Sequence, residues 1–531
     1  MKLGSKELNK RLFKIIVSLL LSTATIVSIL LVISISFFPT LYVIIATLFF
    51  LIVLIISLYL IWLAKKSIVA PFLRNLFISV TSLSLVVIPL GIREIDITIF
   101  RMFSNTPKTG TSNIVILALE DDPLTSPAEI FTAQIAFQNS DDLDNQDYAI
   151  KFIENEFQKT LQLVEYEDIA FATDALLNKK CRFLLINAGY IEVLQNDAKY
   201  EELPYKTKKV YEVVIEYDLT DMTSDTRVTE EAFNIYISGT DSYGKLNSTY
   251  RSDVNLILTI NPKTKQLLIT SLPRDTYLKV PCWNNVYDKL THTSAAGWRK
   301  PSGVSCSMKS LEQHLDIQID FYIKINFTSL ITIVDTLGGI TVDNPYTFTF
   351  SFPPKNTYQE GLITLNGQQA LQFVRERKSL KNGDMDRNLH QLLVIKALLK
   401  KALQPSTLAK SKALIESLSS VYETNITPEQ ISALIKMQLS DFASWDVHSQ
   451  AIQGQLVKKI SALLSKYSVY TMNINFPNQL EAAKLNIADI MAGKKPEVIT
   501  LPEGIKQNVK SDKPKTKPGG DSSSDPDDEP D

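Results

Sequence analysis

Three long apolar runs near the N-terminus constrain this chain more than any other feature of the sequence. Residues 15–38 and 41–64 contain no charged side chain, and residues 75–92 form a third uncharged run. A helix needs about 20 apolar residues to cross the hydrocarbon core of a bilayer. The first run is too long for a signal-peptide core, and the second follows it almost at once. The sequence therefore predicts three transmembrane helices over residues 15–92.

Basic residues flank these runs unevenly and predict an orientation. Five lysines and arginines precede the first run and three lie between the second and the third, whereas only Arg93 closely follows the third. Lys and Arg prefer the cytoplasmic side of a membrane. We therefore expect a multi-pass protein of the cell membrane, with residues 1–14 as a cytoplasmic arm and everything after about residue 93 outside the cell.

The charge balance and the missing motifs exclude several functions. The chain has 55 Lys and Arg against 57 Asp and Glu, a net charge of −2, so no general field attracts nucleic acid. The cytoplasmic parts are also too short for a DNA-binding domain, so no nucleic-acid partner is expected. The four histidines show no zinc-binding spacing, and neither a P-loop nor a G-x-S-x-G motif is present.

Two α/β units are predicted outside the membrane. Residues 104–230 alternate strand-like and helix-like runs, including a helical stretch at 148–164, and carry no recognisable catalytic motif, so we interpret them as an extracellular accessory domain or spacer. Residues 233–490 form the second unit, a mixed central sheet flanked by helices. Its apolar runs 254–262 and 266–273 are typical of strands covered on both faces.

The last part of the chain is expected to contain a mostly helical region followed by a disordered tail. Residues 405–490 are predicted to be mostly helical, with one short strand at 467–476. Residues 494–531 are rich in Pro, Lys, Asp, Ser and Gly, a composition typical of a disordered tail.

A charged stretch at 373–391 lies between apolar segments. Arg375 and Arg377 are two apart on a predicted strand, so both are expected to project from one face. Guanidinium groups bind phosphate oxygens in a bidentate fashion. Arg387 and Gln391 are four apart on the predicted helix 387–403 and therefore share a face.

Further charged residues follow predicted strand ends. Arg274 and Asp275 come directly after a buried strand that Pro273 ends, where ligands of open α/β sheets bind; an ion pair in a turn is the alternative. Asp241 follows one strand and Asp253 precedes another. Two carboxylates together with phosphate oxygens suit Mg²⁺ or Mn²⁺.

Taken in order, the motifs form a specific set. They read G-T-D at 239–241, R-S-D at 251–253, S-L-P-R-D at 271–275, D-K-L-T-H at 288–292, V-R-E-R-K at 374–378 and D-x-x-R-x-x-x-Q at 384–391. This set resembles the LytR-CpsA-Psr family of wall-polymer ligases of Gram-positive bacteria, and three spans plus an extra domain resemble its capsule-operon CpsA branch.

The resemblance implies an enzyme with an extracellular catalytic domain. Such a polyisoprenyl-teichoic acid or capsule–peptidoglycan phosphotransferase attaches a capsular or other wall glycopolymer, carried on undecaprenyl diphosphate, to peptidoglycan through a phosphodiester bond. The lipid chain occupies a hydrophobic pocket. Besides the lipid-linked polysaccharide, the peptidoglycan acceptor and the membrane, capsule polymerase and regulatory kinase proteins are expected as partners.

The resemblance also assigns roles to individual residues. Asp241 and Asp253 match acids that hold magnesium. Catalytic roles are implied for Arg274, Asp253 and Asp275, with either acid open as the base that deprotonates the acceptor. The residues matched to diphosphate binding are Arg251, Arg274, Arg375, Arg377, Arg387, Gln391 and Lys289. Asp384 fits the acid of the D-x-x-R motif, although Asp386 is close by.

Several alternatives stay open at this level. A non-catalytic regulator or scaffold of capsule assembly would use the same membrane helices and accessory domain, and a prenyl-diphosphate hydrolase would use water as the acceptor. Cys282 and Cys306 lie in one loop-rich region, where a disulfide or two free thiols are equally compatible with the sequence.

Overall fold

The computed structural model describes most of the chain up to residue 497. The described ranges are 5–62, 71–104, 109–139, 142–195, 199–218, 224–241, 251–294, 303–404, 422–463, 468–473 and 479–497. Everything below concerns these residues, which belong to one compact body, Met1–Ile499. The predicted disordered tail lies almost entirely outside the described residues.

Helices form the N-terminal part and flank the sheets. The helices are α1 Ser5–Ile33, α2 Thr40–Trp62, α3 Pro71–Ser104, α4 Leu143–Phe157, α5 Ile169–Leu177, α6 Ala188–Leu194, α7 Leu203–Lys206, α8 Leu290–Thr293, α9 Gly303–Leu315, α10 Phe327–Thr336, α11 Gly367–Arg375, α12 Asp384–Ala402, α13 Pro428–Asp441 and α14 Gln479–Met491. Short 3₁₀ turns cover Pro127–Phe131 and Pro281–Trp283.

The strands belong to two main sheets and four small pairs. They are β1 Thr109–Leu119, β2 Gln134–Gln138, β3 Gln162–Tyr166, β4 Phe183–Asn187, β5 Thr207–Asp218, β6 Phe233–Thr240, β7 Ser252–Asn261, β8 Gln266–Leu272, β9 Tyr277–Val280, β10 Val286–Lys289, β11 Phe321–Asn326, β12 Ile340–Asn344, β13 Phe348–Thr349, β14 Thr357–Tyr358, β15 Gly361–Leu365, β16 Tyr422–Thr424, β17 Asp446–Ala451, β18 Gln455–Ile460 and β19 Ser468–Asn473.

Two of the three N-terminal helices are suited to a membrane. Among the described residues, Arg11–Ile33 of α1 and Thr40–Trp62 of α2 are long and apolar enough to cross a bilayer, with mean hydropathies of 2.6 and 3.0. The third predicted span lies within the helix α3, which is not one of these two. Two candidate anchors are thus established by length and composition, and the third span stays a prediction.

The predicted accessory domain contains a five-stranded sheet with the order β3-β2-β4-β1-β5. The neighbours β3, β2 and β4 run parallel, whereas β1 is antiparallel to both β4 and β5. The helix predicted at 148–164 is wrong in its second half, because α4 ends at Phe157 and β3 begins at Gln162. Gln158 adopts a left-handed conformation that ends the helix.

A mixed six-stranded sheet forms the centre of the second unit, with the order β16-β11-β6-β7-β8-β17. The strands β7 and β8 pair antiparallel in the middle and are almost entirely buried, as the continuous apolar runs predict. The parallel pairs are β6 with β11 and β8 with β17. The predicted mixed α/β fold is confirmed.

The region 405–490 departs from the prediction. It contains the helices α13 and α14, but residues 446–451 and 455–460 form strands rather than helices. The strand β17 extends the central sheet through its parallel pairing with β8, a contact between segments about 180 residues apart in the sequence. A strand that forms through such a long-range pairing cannot be recognised from its own residues, because strand preference depends strongly on the neighbouring strands.

The cores of the two α/β units are continuous. One cluster of buried side chains joins Tyr190 and Leu194 of the first unit to Tyr236 and Leu268 of the second. The first unit is therefore packed against the second through a shared apolar core. This contact places the end of β4 and the short helix α6 beside the second sheet.

Cys282 and Cys306 are joined by a disulfide, with a Cα–Cα distance of 5.8 Å. This bond links the 3₁₀ turn Pro281–Trp283 to the helix α9. The alternative of two free thiols is thereby excluded for this structure. Cys181 is buried and unbonded to another cysteine.

Candidate active site

A cavity of about 140 Å³ opens at the end of the central sheet. Its polar wall and its apolar wall are built from different elements. The polar side chains are Thr240, Asp241, Asp253, Asn326, Arg375, Arg387 and Gln391. The apolar side chains are Val254, Ile325, Phe327, Leu330, Phe350, Phe352 and Val374. The cavity is therefore suited to a molecule with a charged head and an apolar tail.

A β-bulge places the two aspartates in this cavity. In the β6–β7 ladder Gly239 pairs with Val254, and Thr240 pairs with Ser252, so Asp253 has no partner across the ladder. A bulged residue can redirect its side chain relative to the regular alternation of a strand. Asp253 and Asp241, the residue that follows β6, both line the cavity.

Gly239 permits the close approach of these two strands. A Cβ atom built at Gly239 would lie 2.7 Å from the Cβ of Val254. Only a residue without a side chain fits this separation.

Arg274 lies behind Asp253. Its Nη1 donates to Asp253 Oδ1 at 2.9 Å, and both side chains are largely buried. Burial alone would raise the pKa of Asp253, but Arg274, Arg251 and Arg387 together lower it to about 2. Asp253 is therefore ionised at neutral pH. Arg274 is not among the residues that line the cavity, so it reaches the site through this ion pair.

Asp275 and Lys289 form a second buried pair. Lys289 Nζ lies 2.9 Å from Asp275 Oδ1, and Arg274 Nε lies 3.8 Å from Asp275 Oδ2. Burial opposes the shift, but Lys289 and Arg274 lower the pKa of Asp275. The Arg274–Asp275 ion pair, which the sequence allows as the alternative interpretation of S-L-P-R-D, is present. Arg274 also pairs with Asp253, so this ion pair belongs to the same group of charged residues. Neither residue lines the cavity.

The predicted strand that would carry Arg375 and Arg377 is wrong. Residues Gly367–Arg375 form the helix α11, which ends at Arg375, and Glu376 follows in an extended conformation. Asn366 and Gln369 form a capping box at the start of this helix, a signal that is readable in the sequence. The two arginines therefore do not share a strand face.

These two arginines lie in different surroundings. Arg375 lines the cavity, with Nη2 3.8 Å from Asp241 Oδ1 and its guanidinium over the ring of Phe327. The side chain of Arg377 is 57% exposed, and its Nε lies 3.8 Å from Asp384 Oδ1. Arg377 is outside the cavity wall.

The first turns of α12 bring Arg387 and Gln391 into the cavity, as their spacing predicts. Asp384 and Asp386 are helical rather than capping residues, since the N-cap is Gly383. Arg387 Nη2 lies 2.6 Å from Asp384 Oδ1. Burial lowers the pKa of Arg387, Asp384 opposes this shift, and the charge of Arg274 adds to it.

A buried donor remains available to an anion. Among the described residues, the buried Nε atom of Arg387, which lines the cavity, has no hydrogen-bond partner. An unsatisfied buried donor is costly unless a ligand supplies the acceptor. Crowded guanidinium groups with a free donor fit a phosphate or diphosphate group.

The two cavity aspartates fit a hard cation bound together with such an anion. Burial raises the pKa of Asp241, and the charge of Asp253 raises it further, while Arg375 lowers it. A cation would relieve the repulsion between the two carboxylates. No group of three or more His, Cys, Asp or Glu side chains suited to a metal is found among the described residues, so the remaining ligands would be phosphate oxygens and water.

Sequence reasoning missed two parts of this site. The apolar wall is drawn from separate segments, notably Phe327 and Leu330 on α10 and Phe350 and Phe352 after β13. Glu192 on α6 lies beside Arg251, with Oε2 3.6 Å from Arg251 Nε. No sequence motif marks these residues, since each meets the site only through tertiary packing.

The geometry defines a mixed α/β domain with an arginine-rich, acid-containing pocket and an apolar wall. The sequence model of the LytR_cpsA_psr family matches residues 190–484. This match covers more than half of the chain, and the protein belongs to that family.

Two relatives and one solved structure illustrate the similarity. A polyisoprenyl-teichoic acid–peptidoglycan teichoic acid transferase TagU of Bacillus licheniformis is 34% identical over 197 residues, which are 37% of this chain and 61% of the relative. The TagU of Enterococcus faecalis is 29% identical over 275 residues, which are 51% of this chain and 86% of the relative. The crystal structure of Bacillus subtilis TagV is 26% identical, with 50% of this chain and 99% of that chain covered and a TM-score of 0.42.

Proposed function

We propose that this protein transfers a glycopolymer from an undecaprenyl diphosphate carrier to peptidoglycan. The observation that carries the proposal is the cavity itself, in which Arg375, Arg387 and two aspartates face an apolar wall. A prenyl diphosphate has the same division into anionic head and apolar tail. Relatives described as teichoic acid transferases acting between polyisoprenyl-linked polymer and peptidoglycan support the same reaction.

The reaction exchanges the phosphoanhydride bond of the diphosphate for a phosphate ester bond to the acceptor. A hydroxyl oxygen of the acceptor attacks the sugar-side phosphorus, and the bond from that phosphorus to the bridging oxygen breaks. Undecaprenyl phosphate leaves with the bridging oxygen, and the acceptor proton passes to solvent or to a nearby base. The product is a phosphodiester between polymer and peptidoglycan.

The arginines provide most of the catalysis in this proposal. Negative charge grows on the departing lipid phosphate, and fixed donors in a water-poor pocket stabilise such charge strongly. Arg387 and Arg375 line the cavity, while Arg274 acts from behind Asp253 and Arg251 lies at the edge of the same electrostatic cluster. Gln391 adds a neutral donor on the face of α12 that carries Arg387.

Asp241 and Asp253 would hold Mg²⁺ or Mn²⁺ in this proposal. The cation supplies charge neutralisation of the diphosphate when it is bound. Arg274 keeps Asp253 ionised and oriented by its hydrogen bond to Oδ1, and therefore keeps one carboxylate ready for the metal.

Asp253 and Asp275 are both weak candidates for a general base. The pKa of each is held below the ordinary value, and an efficient base has a pKa near the working pH. Asp253 lines the cavity and Asp275 does not, so Asp253 is the better placed of the two. The pKa shifts favour a reaction that depends chiefly on positioning and electrostatics.

The membrane arrangement completes the proposal. Two apolar helices support an anchor. We propose a third span within α3, a cytoplasmic N-terminus and an extracellular catalytic domain. A capsular polysaccharide as the polymer, and capsule polymerase and regulatory kinase proteins as partners, are the finer expectations of the CpsA-like sequence pattern.

The full-length protein in lipid nanodiscs tests the function directly. A short glycan on undecaprenyl diphosphate is mixed with Mg²⁺, with or without soluble peptidoglycan fragments, and the products are analysed by mass spectrometry. A glycan–phosphate–peptidoglycan adduct is expected from the wild type and not from Arg387→Ala. Release of glycan phosphate without acceptor dependence would instead identify a hydrolase, and binding without any product would identify a scaffold.

A further inference from the structure

Within the described part of the chain, the five-stranded-sheet unit contacts Arg251 of the R-S-D motif through Glu192 on the helix α6. The helix α6 begins directly after the central strand β4, and Asn187 caps its first turn by accepting a hydrogen bond from Gly189 N at 3.0 Å. Tyr190, Val193 and Leu194 on this helix are fully buried. The helix is therefore fixed in place by its own packing, and Glu192 is presented from a rigid support.

Glu192 meets Arg251 at two atoms. Its Oε2 accepts a hydrogen bond from the backbone N of Arg251 at 3.3 Å and lies 3.6 Å from the side-chain Nε. The side chain of Arg251 is 19% exposed and that of Glu192 is 30% exposed. The carboxylate therefore holds the main chain of Arg251 by a hydrogen bond and lies within ion-pair distance of its guanidinium, in partial shelter from water.

Glu192 also belongs to the electrostatic environment of the cavity. Burial raises the pKa of its carboxyl group, Arg251 opposes that shift, and the charges of Asp253 and Asp241 add to it. Both aspartates line the cavity. A carboxylate that feels these two charges is close enough to influence the head group of a ligand there.

We infer that Glu192 is a positioning residue, supplied by the helix α6 after the strand β4, that orients Arg251 toward the diphosphate of the lipid-linked substrate. This role rests on the proposed function, because it requires a diphosphate in the cavity. A long arginine side chain loses considerable rotamer freedom when it binds a ligand. An ion pair that fixes the guanidinium beforehand removes part of this loss, and so strengthens diphosphate binding.

The main alternative is that Glu192 weakens diphosphate binding. A carboxylate near an anion site repels the anion, and Glu192 would then compete with the diphosphate for Arg251. The two effects differ in sign for a variant that keeps the shape of Glu192 but removes its charge. Glu192→Gln is that variant, since its amide oxygen still accepts from the Arg251 backbone.

The experiment measures binding rather than turnover. Full-length protein in nanodiscs is titrated with geranylgeranyl diphosphate and, separately, with geranylgeranyl monophosphate, in the presence of Mg²⁺. Glu192→Gln, Glu192→Ala and Glu192→Asp are compared with Glu202→Gln. Glu202 is a control from the same region, and its exposed carboxylate pairs with Lys206 at 2.9 Å in an i,i+4 contact. Thermal unfolding of each variant is recorded alongside.

We expect Glu192→Ala and Glu192→Gln to bind the diphosphate about tenfold more weakly, with a smaller change for the monophosphate. Glu192→Asp should recover part of the loss, and Glu202→Gln should bind as the wild type does. Wild-type affinity in Glu192→Gln would show that the charge of Glu192 does not assist diphosphate binding, and would overturn the inference. Tighter binding by Glu192→Gln would also overturn it, because it would show that Glu192 competes with the diphosphate for Arg251. A wild type that binds no prenyl diphosphate would remove the proposed function, and the inference with it.

Discussion

Arg274 and Asp253 form the ion pair on which the site is built, with Nη1 2.9 Å from Oδ1. The two residues come from different strands' ends, since Arg274 follows β8 and Asp253 is the bulged residue of β7. Their pairing holds one carboxylate of the cavity ionised and in place. It also ties the S-L-P-R-D motif to the R-S-D motif across the β7–β8 hairpin.

Replacing Arg274 by alanine should remove both activity and stability. Loss of one partner leaves Asp253 as a buried, unpaired charge, which typically costs about 3–5 kcal/mol. The pKa of Asp253 should rise as a result, since Arg274 is its strongest cationic neighbour. The measurements are the nanodisc transfer assay and the unfolding temperature. Arg274→Lys is the matched variant: it should recover most of the unfolding temperature but little transfer, and full transfer by Arg274→Ala would contradict this account.

Arg387 and Arg377 should differ in their importance. Arg387 is buried and lines the cavity, whereas the side chain of Arg377 is 57% exposed and lies outside the cavity wall. Loss of a preorganised donor typically lowers kcat about 10²–10³-fold. We expect that loss for Arg387→Ala and less than about tenfold for Arg377→Ala, because solvent screens an exposed charge. Equal losses in kcat would show that Arg377 moves into the cavity when substrate binds.

A methyl group at Gly239 should disturb the two aspartates without touching them. Its Cβ would lie 2.7 Å from Val254 Cβ, so β6 and β7 must separate at the bulge that orients Asp253. Gly239→Ala should lower the unfolding temperature and transfer activity together. The double variant Gly239→Ala/Val254→Gly removes the Cβ atom that the new methyl group would meet and should recover part of both. A single variant indistinguishable from wild type would show that the strands adjust at no cost.

The disulfide between Cys282 and Cys306 should stabilise the region beside the site. It closes a loop of 24 residues that links the turn after β9 to α9. Loops of this size typically gain about 2–4 kcal/mol from a disulfide. Cys282→Ser should lower the unfolding temperature, and reduction of the wild type should have a similar effect. Thiol labelling of the denatured, unreduced protein checks the pairing, since it should modify Cys181 alone.

His390 should make the protein sensitive to mild acid. The ring is fully buried and packs on Phe373 at 4.2 Å and Phe348 at 4.8 Å between ring centroids. Burial lowers the pKa of His390 to about 4, with a smaller opposing contribution from the Phe373 carbonyl. At a pH between about 6.5 and about 4, His390 is protonated in the unfolded chain but neutral in the folded protein. Stability should therefore fall by about 3 kcal/mol as the pH drops through that interval.

The His390→Phe variant isolates this contribution. A phenyl ring keeps the stacking partners but cannot be protonated, so the fall in unfolding temperature from pH 7 to pH 5 should become smaller. An unaltered pH dependence in His390→Phe would contradict the assignment. His314, whose pKa burial also lowers to about 4, should account for a further part of the acid sensitivity.

Local patterns explain which elements the sequence predicts correctly. Continuous apolar runs predicted the central strands β7 and β8 because both faces of those strands are covered. The pair Gly338-Gly339 marks the end of α10, since both glycines adopt the positive φ values that are typical after a helix. The i,i+4 spacing of Arg387 and Gln391 placed both on the cavity side of α12.

Competing patterns explain which elements the sequence predicts wrongly. The alternation in F-V-R-E-R favoured a strand over α11, although the capping box of Asn366 and Gln369 favours the helix that is observed. The strand β17 owes its conformation to pairing with β8 rather than to its own composition. Helix or strand preference in such short segments is weak compared with tertiary contacts.

The sequence by itself determined the family-specific residues, the apolar N-terminal segments and the mixed α/β character, since each depends on residue identity and local spacing. Only the tertiary structure decided which of those residues share a cavity, because a bulge of one residue and a helix in place of a strand redirect whole side chains. It also decided what no motif contains: an apolar wall drawn from separate segments, and Glu192 of the helix α6 beside Arg251. Contacts of this kind depend on packing between distant segments, and packing is a property of the folded chain rather than of any short stretch of it.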